Sequence, residues 1–278
     1  MKLNPWKQAS RLQKNPYVQS PQWDDVTELL SKIKISNSYY TRGSKQAQGE
    51  ALECIEYHRK WISSIIDLSD FKYAYITAGA TEAINHWRMS DDRPWQFFEG
   101  DYEWPQMIKP NGRKTKYLHS SDVLYVSNPA CSDGNFIELN HIKNPVILDC
   151  AYLGATAIHK INIPVNTEQV MFSFSKGWGL IGQRCGILYT RDPHPTLEPL
   201  KKVECYHYAS AQIMKTIMEN YQVDEMYKRF KSTQKQLCDD LELQPSDTYF
   251  IATSTDDYYE IRRRKSNIAR LSLTSILE

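Results

Sequence analysis

The chain has 278 residues, 34 Lys and Arg against 33 Asp and Glu, a formal net charge of +1, and 41% hydrophobic residues. That near-neutral balance argues against a nucleic-acid binder dominated by phosphate contacts, the apolar fraction argues against wholesale disorder, and the length suits one large domain with a smaller appendage or two modest domains. No stretch approaches the ~20 apolar residues of a membrane span, the N-terminus lacks a signal-peptide core, and six scattered cysteines form neither CxxC pairs nor a Cys/His cluster with zinc spacing, so the expectation is a soluble, cytoplasmic protein with no metal.

Residues 1–45 are polar, with one helix expected near 23–34, and read as an N-terminal arm or lid with little core of its own. From Gln46 to about Ile66 the apolar spacing is helical. Short apolar runs follow: Tyr73–Thr77 (YAYIT), then a helix from Thr81; Trp95–Phe98; Tyr117–Leu118; Val123–Ser127 (VLYVS); Val146–Asp149 (VILD); Val170–Ser173; and Gly186–Tyr189. Strands apolar on both faces, separated by helices or long connections, predict an α/β domain with a mainly parallel central sheet over residues 46–195. Residues 196–241 read as helical with a break near Gln222, and Thr248–Ser254 and Ile268–Leu273 as two strands flanking the basic run Arg262–Lys265. That run reads as a solvated turn, and residues 196–278 as a reduced C-terminal α+β domain.

Four segments fall at predicted strand ends, where open α/β sheets bind ligands. Ala78-Gly79-Ala80-Thr81-Glu82-Ala83 joins a strand to a helix, and its small residues and free helix-start N–H groups, with the Thr81 hydroxyl, suit an anion site; taken alone it reads as a plain turn with Thr81 as N-cap. Asn128-Pro129-Ala130-Cys131-Ser132-Asp133-Gly134 is by itself only a loop. Asp149-Cys150-Ala151-Tyr152 places a carboxylate at the end of an apolar strand, where it needs a partner: a protonated pyridine nitrogen, or a structural cap or ion pair. In Ser173–Gly186, Lys176 stands among small residues with Arg184 eight positions on. A sheltered lysine near other cations can act as a Schiff-base amine, and an arginine with two serines can hold a phosphate.

Together these segments resemble the fold-type I enzymes dependent on pyridoxal 5′-phosphate (PLP), the aspartate aminotransferase superfamily, and its histidinol-phosphate aminotransferase-like branch most. That family shows SxSKxxGLxGxRxG around its lysine, and residues 173–186 read SFSKGWGLIGQRCG with identical spacing. The order of phosphate loop, NP loop, Asp-x-x-Tyr and lysine loop also matches, over roughly residues 40–190. The resemblance implies PLP as cofactor and Lys176 as the Schiff-base lysine and proton shuttle. It implies Asp149 on the pyridinium N–H, Tyr152 on the phenolic oxygen, and Gly79, Ala80, Thr81, Ser173, Ser175 and Arg184 on the phosphate. Tyr102 would stack on the ring, with Trp104 as the alternative. Tyr40, or Tyr39 one register away, would reach the phosphate of a second subunit, implying a homodimer with shared active sites. Arg270, in Ala-Arg-Leu-Ser-Leu, would clamp the substrate carboxylate.

Three departures stand out. The residue that is Asn in the family's NPNNPTG loop is Cys131 here, with Asn128 at the loop's first position. The segment from Gly134 to Asp149 is too short for the usual helix, and the chain is shorter than typical members. The function expected is an aminotransferase acting on an L-amino acid. A PLP-dependent lyase, decarboxylase or cyclase and a non-catalytic binding protein on the same fold are the competitors.

Overall fold

The computed structural model describes residues 5–15, 18–34, 45–119, 121–263 and 267–277. Its frame is a seven-stranded sheet of β1 (Tyr73–Thr77), β2 (Trp95–Phe98), β3 (Gly112–Thr115), β4 (Val123–Ser127), β5 (Val146–Asp149), β6 (Thr167–Ser173) and β7 (Gly186–Thr190), in spatial order β1-β7-β6-β5-β4-β2-β3. β6, β5, β4, β2 and β3 run parallel, and β7 is antiparallel to both β6 and β1. The α/β class and the mainly parallel sheet expected from the sequence are thus observed.

Successive residues of a strand face opposite sides, and the core divides accordingly. Val123 and Tyr125 of β4 join Ile147, Met171 and Leu188 on one face, against Ala83, Ile84 and Trp87 of α4 (Ala80–Ser90). Leu124 and Val126 join Leu148, Val170, Phe172 and Ile187 on the other. That second face packs with Ala51 and Ile55 of α3 (Lys45–Ile62) and Met214 and Ile217 of α8 (Tyr208–Asn220). Both faces being covered explains why the strands read as unbroken apolar runs.

The expected strand at Tyr117–Leu118 does not form. Tyr117 is 84% exposed, and the edge position is taken by β3, whose sequence GRKT is polar and carries no hydrophobic signal. The stretch 196–241 contains α7 (Leu197–Lys202), α8 and α9 (Glu225–Asp240), so a second break falls at 203–207 besides the expected one near Gln222. Beyond it lies a three-stranded sheet, β10 (Ala269–Ser272), β9 (Ile251–Ser254) and β8 (Gln244–Pro245), all antiparallel. Of the basic run, Arg262 and Arg263 are half-buried and reach the carbonyls of Gln13 and Thr255; Arg264 and Lys265 lie outside the described residues. Leu12 of α1 (Pro5–Lys14), Val18, and Val26 of α2 (Asp24–Ser31) are buried in the larger hydrophobic cluster, so the N-terminal segment shares the main core. No described helix is long and apolar enough to cross a membrane.

Candidate active site

Strand register assembles the site. Ser127 pairs with Asp149, Asp149 with Met171, and Gly186 with both Ser173 and Thr77. Because β7 runs backwards, the residue that enters it lies at the same edge as the residues that leave β1, β4, β5 and β6. Gly186 is required there: a Cβ would lie 2.5 Å from the Phe172 carbonyl and 2.7 Å from Gly79 Cα. A cavity of about 270 Å³ opens at this edge, close to the range typical of small-molecule sites.

Its floor holds a buried carboxylate. Tyr125 donates its hydroxyl to Asp149 at 2.6 Å and the Ala151 N–H donates at 2.9 Å. Burial nevertheless pushes the Asp149 carboxyl up to about 6. Asp101, nearby and equally buried, accepts from the Ser127 N–H (3.0 Å), the Ser127 hydroxyl (2.5 Å) and the Tyr102 N–H (2.7 Å). Asp101 therefore fixes Ser127 and Tyr102, two residues of the cavity wall, and Asp149 lines the cavity itself.

Lys176 sits on the short helix α6 (Phe174–Gly177), capped by the Ser173 hydroxyl, which accepts from the Ser175 N–H at 3.2 Å. Its Nζ donates to the Val18 carbonyl at 3.0 Å, and the Ser20 N–H donates back to the Lys176 carbonyl at 3.0 Å. Burial lowers the affinity of this amine for its proton. Next to it the Ser175 hydroxyl is buried with no hydrogen-bond partner among the described residues.

One end of the cavity is shaped for an anion. Gly79 adopts φ +79°, open to glycine alone at low strain, and an added Cβ would lie 3.2 Å from Arg184 Nη2. Ala80 and Thr81, the first residues of α4, line the same end with Ser173, Ser175 and Arg184. Arg270 also lines the cavity and is 6% exposed. Its Nη1 donates to the Cys131 carbonyl and to Cys131 Sγ (3.0 Å), and Sγ lies 3.8 Å from the Tyr152 hydroxyl. Arg270 has no ion pair among the described residues, and its Nε has no hydrogen-bond partner among them. Burial works against its charge while the nearby Asp101 carboxylate favours it, and a ligand carboxylate would give it a direct partner.

Of the residues singled out from sequence, Ala80, Thr81, Tyr102, Cys131, Asp149, Tyr152, Ser173, Ser175, Lys176, Arg184 and Arg270 line this one cavity. Gly79 stands directly behind it, against Arg184. Asn128 is not in the lining: its side chain is taken up by the backbone of Ile137, donating at 3.1 Å and accepting at 3.0 Å. Trp104, which opens α5 (Trp104–Ile108), donates to Asn85 at 2.9 Å and is not in the cavity lining, whereas Tyr102 is. Tyr39 and Tyr40 lie outside the described residues. Sequence reasoning missed Val18, Ser127, Pro129, Ala151 and Ile181 in the lining and Tyr125 and Asp101 behind it.

No protein-family model matches the chain, and no curated protein matches it in sequence. Solved structures do share its fold. They include a probable N-succinyldiaminopimelate aminotransferase from Thermus thermophilus, with TM-score 0.65 and 14% identity over 98% of this chain and 95% of that one. L-threonine-O-3-phosphate decarboxylase from Porphyromonas gingivalis has TM-score 0.63 and 13% identity, over 92% and 94%. Histidinol-phosphate aminotransferase from Sinorhizobium meliloti, in complex with pyridoxal-5′-phosphate, has TM-score 0.62 and 11% identity, over 100% and 95%.

Proposed function

We propose that this chain is a PLP-dependent enzyme acting on an L-amino acid, with transamination as its reaction. The observation that carries this reading is one cavity in which a buried lysine, its ammonium form disfavoured, shares the walls with a buried carboxylate and two arginines. The residues present fit the cofactor. Ser175 offers a buried hydroxyl without a partner among the described residues, and the glycine at position 79 leaves a cradle beside Arg184.

Thr81, Ser173, Ser175 and Arg184 would hold its phosphate, Asp149 its ring nitrogen, Tyr152 its phenolic oxygen, and Tyr102 one face of its ring, with Lys176 Nζ as the amine that anchors it. Bound there, PLP supplies an electron-poor ring that stabilises negative charge at the substrate Cα. As an anion Asp149 would keep a proton on the ring nitrogen. Lys176, with its lowered affinity for a proton, takes the Cα proton and returns it. Arg270 holds the substrate carboxylate through its donors not used by Cys131, which orients Cα. Val18 closes the side of the cavity against water. In this proposal residues 46–195 carry the cofactor, and Tyr40 reaches the phosphate of a second copy in a homodimer.

The test is to add PLP to the purified protein. A visible absorbance band should appear, and borohydride should fix the cofactor on the peptide carrying Lys176. Amino acids should shift the band, and Lys176→Ala should lose it together with turnover, by a factor on the order of 10³ or more. Retention of band and turnover by Lys176→Ala would sink the proposal. The likeness to a phosphothreonine decarboxylase supports a second outcome on the same residues. Release of CO2 instead of a keto acid would favour it.

A further inference from the structure

Outside the cavity, a chain of polar side chains ends on the anion seat. Glu82, in the first turn of α4, bends back to accept from the Ala78 N–H at 2.5 Å, so its carboxylate pins the strand-to-helix loop that contains Gly79. A negative charge one residue from Thr81 opposes an anion in the same loop unless it is neutralised. His207 supplies the neutralising group: its Nε2 lies 3.0 Å from Glu82 Oε2 and 3.2 Å from Oε1. His86, on the next turn of α4, is a more distant 3.9 Å from Glu82 and is held through Nδ1 by Thr196 at 2.8 Å. Burial of Glu82 favours its neutral acid, but the bonds from His207, His86 and Ala78 outweigh this and hold it well below the usual carboxylate range. The bond to Glu82 holds His207 above the usual imidazole value, against burial.

His207 is the N-cap residue of α8. One turn on, the Ser210 hydroxyl donates to the Arg184 carbonyl at 3.2 Å. Arg184 has φ +51°, a left-handed conformation that a non-glycine residue keeps only when its surroundings hold it. The start of α8 therefore grips both halves of the anion seat. His207 grips the loop after β1, and Ser210 the loop before β7.

We propose that His207 and Ser210 are positioning residues for the phosphate of the cofactor, clasping two loops about a hundred residues apart into one seat. The inference rests on the PLP reading and deepens it. Neither residue touches the cavity; each acts through Glu82 or Arg184.

The test compares two aldehydes, PLP and pyridoxal, which lacks the phosphate, by titration of cofactor absorbance on the wild type, His207→Gln, His207→Lys and Ser210→Ala. His207→Gln should weaken PLP about fivefold, the scale of one partly exposed ion pair, and leave pyridoxal affinity unchanged. His207→Lys should recover part of the loss, and Ser210→Ala should lose less than His207→Gln. Equal weakening of both aldehydes, or unchanged PLP affinity in His207→Gln, would overturn the clasp. Inorganic phosphate gives a second measurement that needs no cofactor. It should raise the melting temperature of the wild type more than that of His207→Gln, and an equal rise in both would count against the proposal. If the wild type binds neither aldehyde, the PLP reading falls, and the phosphate shift still judges the clasp.

Discussion

Two cavities of the molecule differ in kind, and the larger is not the one with chemistry. A cleft of about 540 Å³ beside the C-terminal sheet is lined, among the described residues, by Ala9, Leu241, Gln244, Thr253, Tyr258 and Tyr259 with Glu242 and Asp256. The cavity at the strand ends has about 270 Å³ and gathers Lys176, Asp149, Arg184 and Arg270. Empty volume beside a surface sheet costs a protein little. Burying a lysine, a carboxylate and an arginine that has no direct ion pair among the described residues at one sheet edge works against folding, and such an arrangement points to a ligand.

That contrast can be broken from either side. The largest expected effect is at Arg270. Arg270→Ala should weaken an L-amino acid by about 10²-fold or more while sparing the matching amine that lacks a carboxylate, measured by spectral titration of the bound cofactor. Equal losses for acid and amine would remove Arg270 as the carboxylate's partner.

Asp149 tests the cost directly. Its folded-state value, about 6, lies above its ordinary 3.8. The folded state therefore binds the extra proton between those values, and stability falls as pH rises from about 4 to 6. Asp149→Asn should stabilise the cofactor-free protein at pH 8 by up to about 3 kcal/mol, with the difference fading toward pH 4, and should loosen PLP. Urea unfolding at both pH values measures it. A destabilised variant at pH 8 would show that Asp149 is held by its partners and not strained by burial.

Gly79→Ala comes next. The left-handed φ and the approach to Arg184 predict a loss of about 1–2 kcal/mol in a thermal melt, with weaker phosphate affinity. The smallest effect belongs to the larger cleft, where Tyr258→Ala should leave cofactor and amino-acid affinities within about twofold. A larger change there would erase the distinction between the two cavities.

How much of this is legible in the sequence depends on distance along the chain. Lys176 and Arg184 share one loop, so their spacing carries their relation, and the apolar runs of β4, β5 and β7 carry the sheet. Arg270 and Cys131 are 139 residues apart and meet only through the packing of the C-terminal sheet against the loop after β4. Val18 reads as part of a polar arm, yet its carbonyl meets Lys176. Tyr125 reads as an ordinary core residue of VLYVS, and only its hydroxyl, directed at Asp149, distinguishes it. β3 carries no signal because an edge strand needs no apolar face. Asn128 stands at a loop position that suggests function, whereas its amide closes the turn onto Ile137.

The reversal of β7 has a practical consequence. Ser173 and Gly186 face each other in the sheet, so everything between them is a single excursion with both feet planted on the same edge. Gly182 stands within that excursion with no atom of the described residues near enough to obstruct a side chain. Extra residues grafted at Gly182 would lengthen the tip and leave the feet where they are, making it a port for a reporter or a recognition peptide beside the cavity.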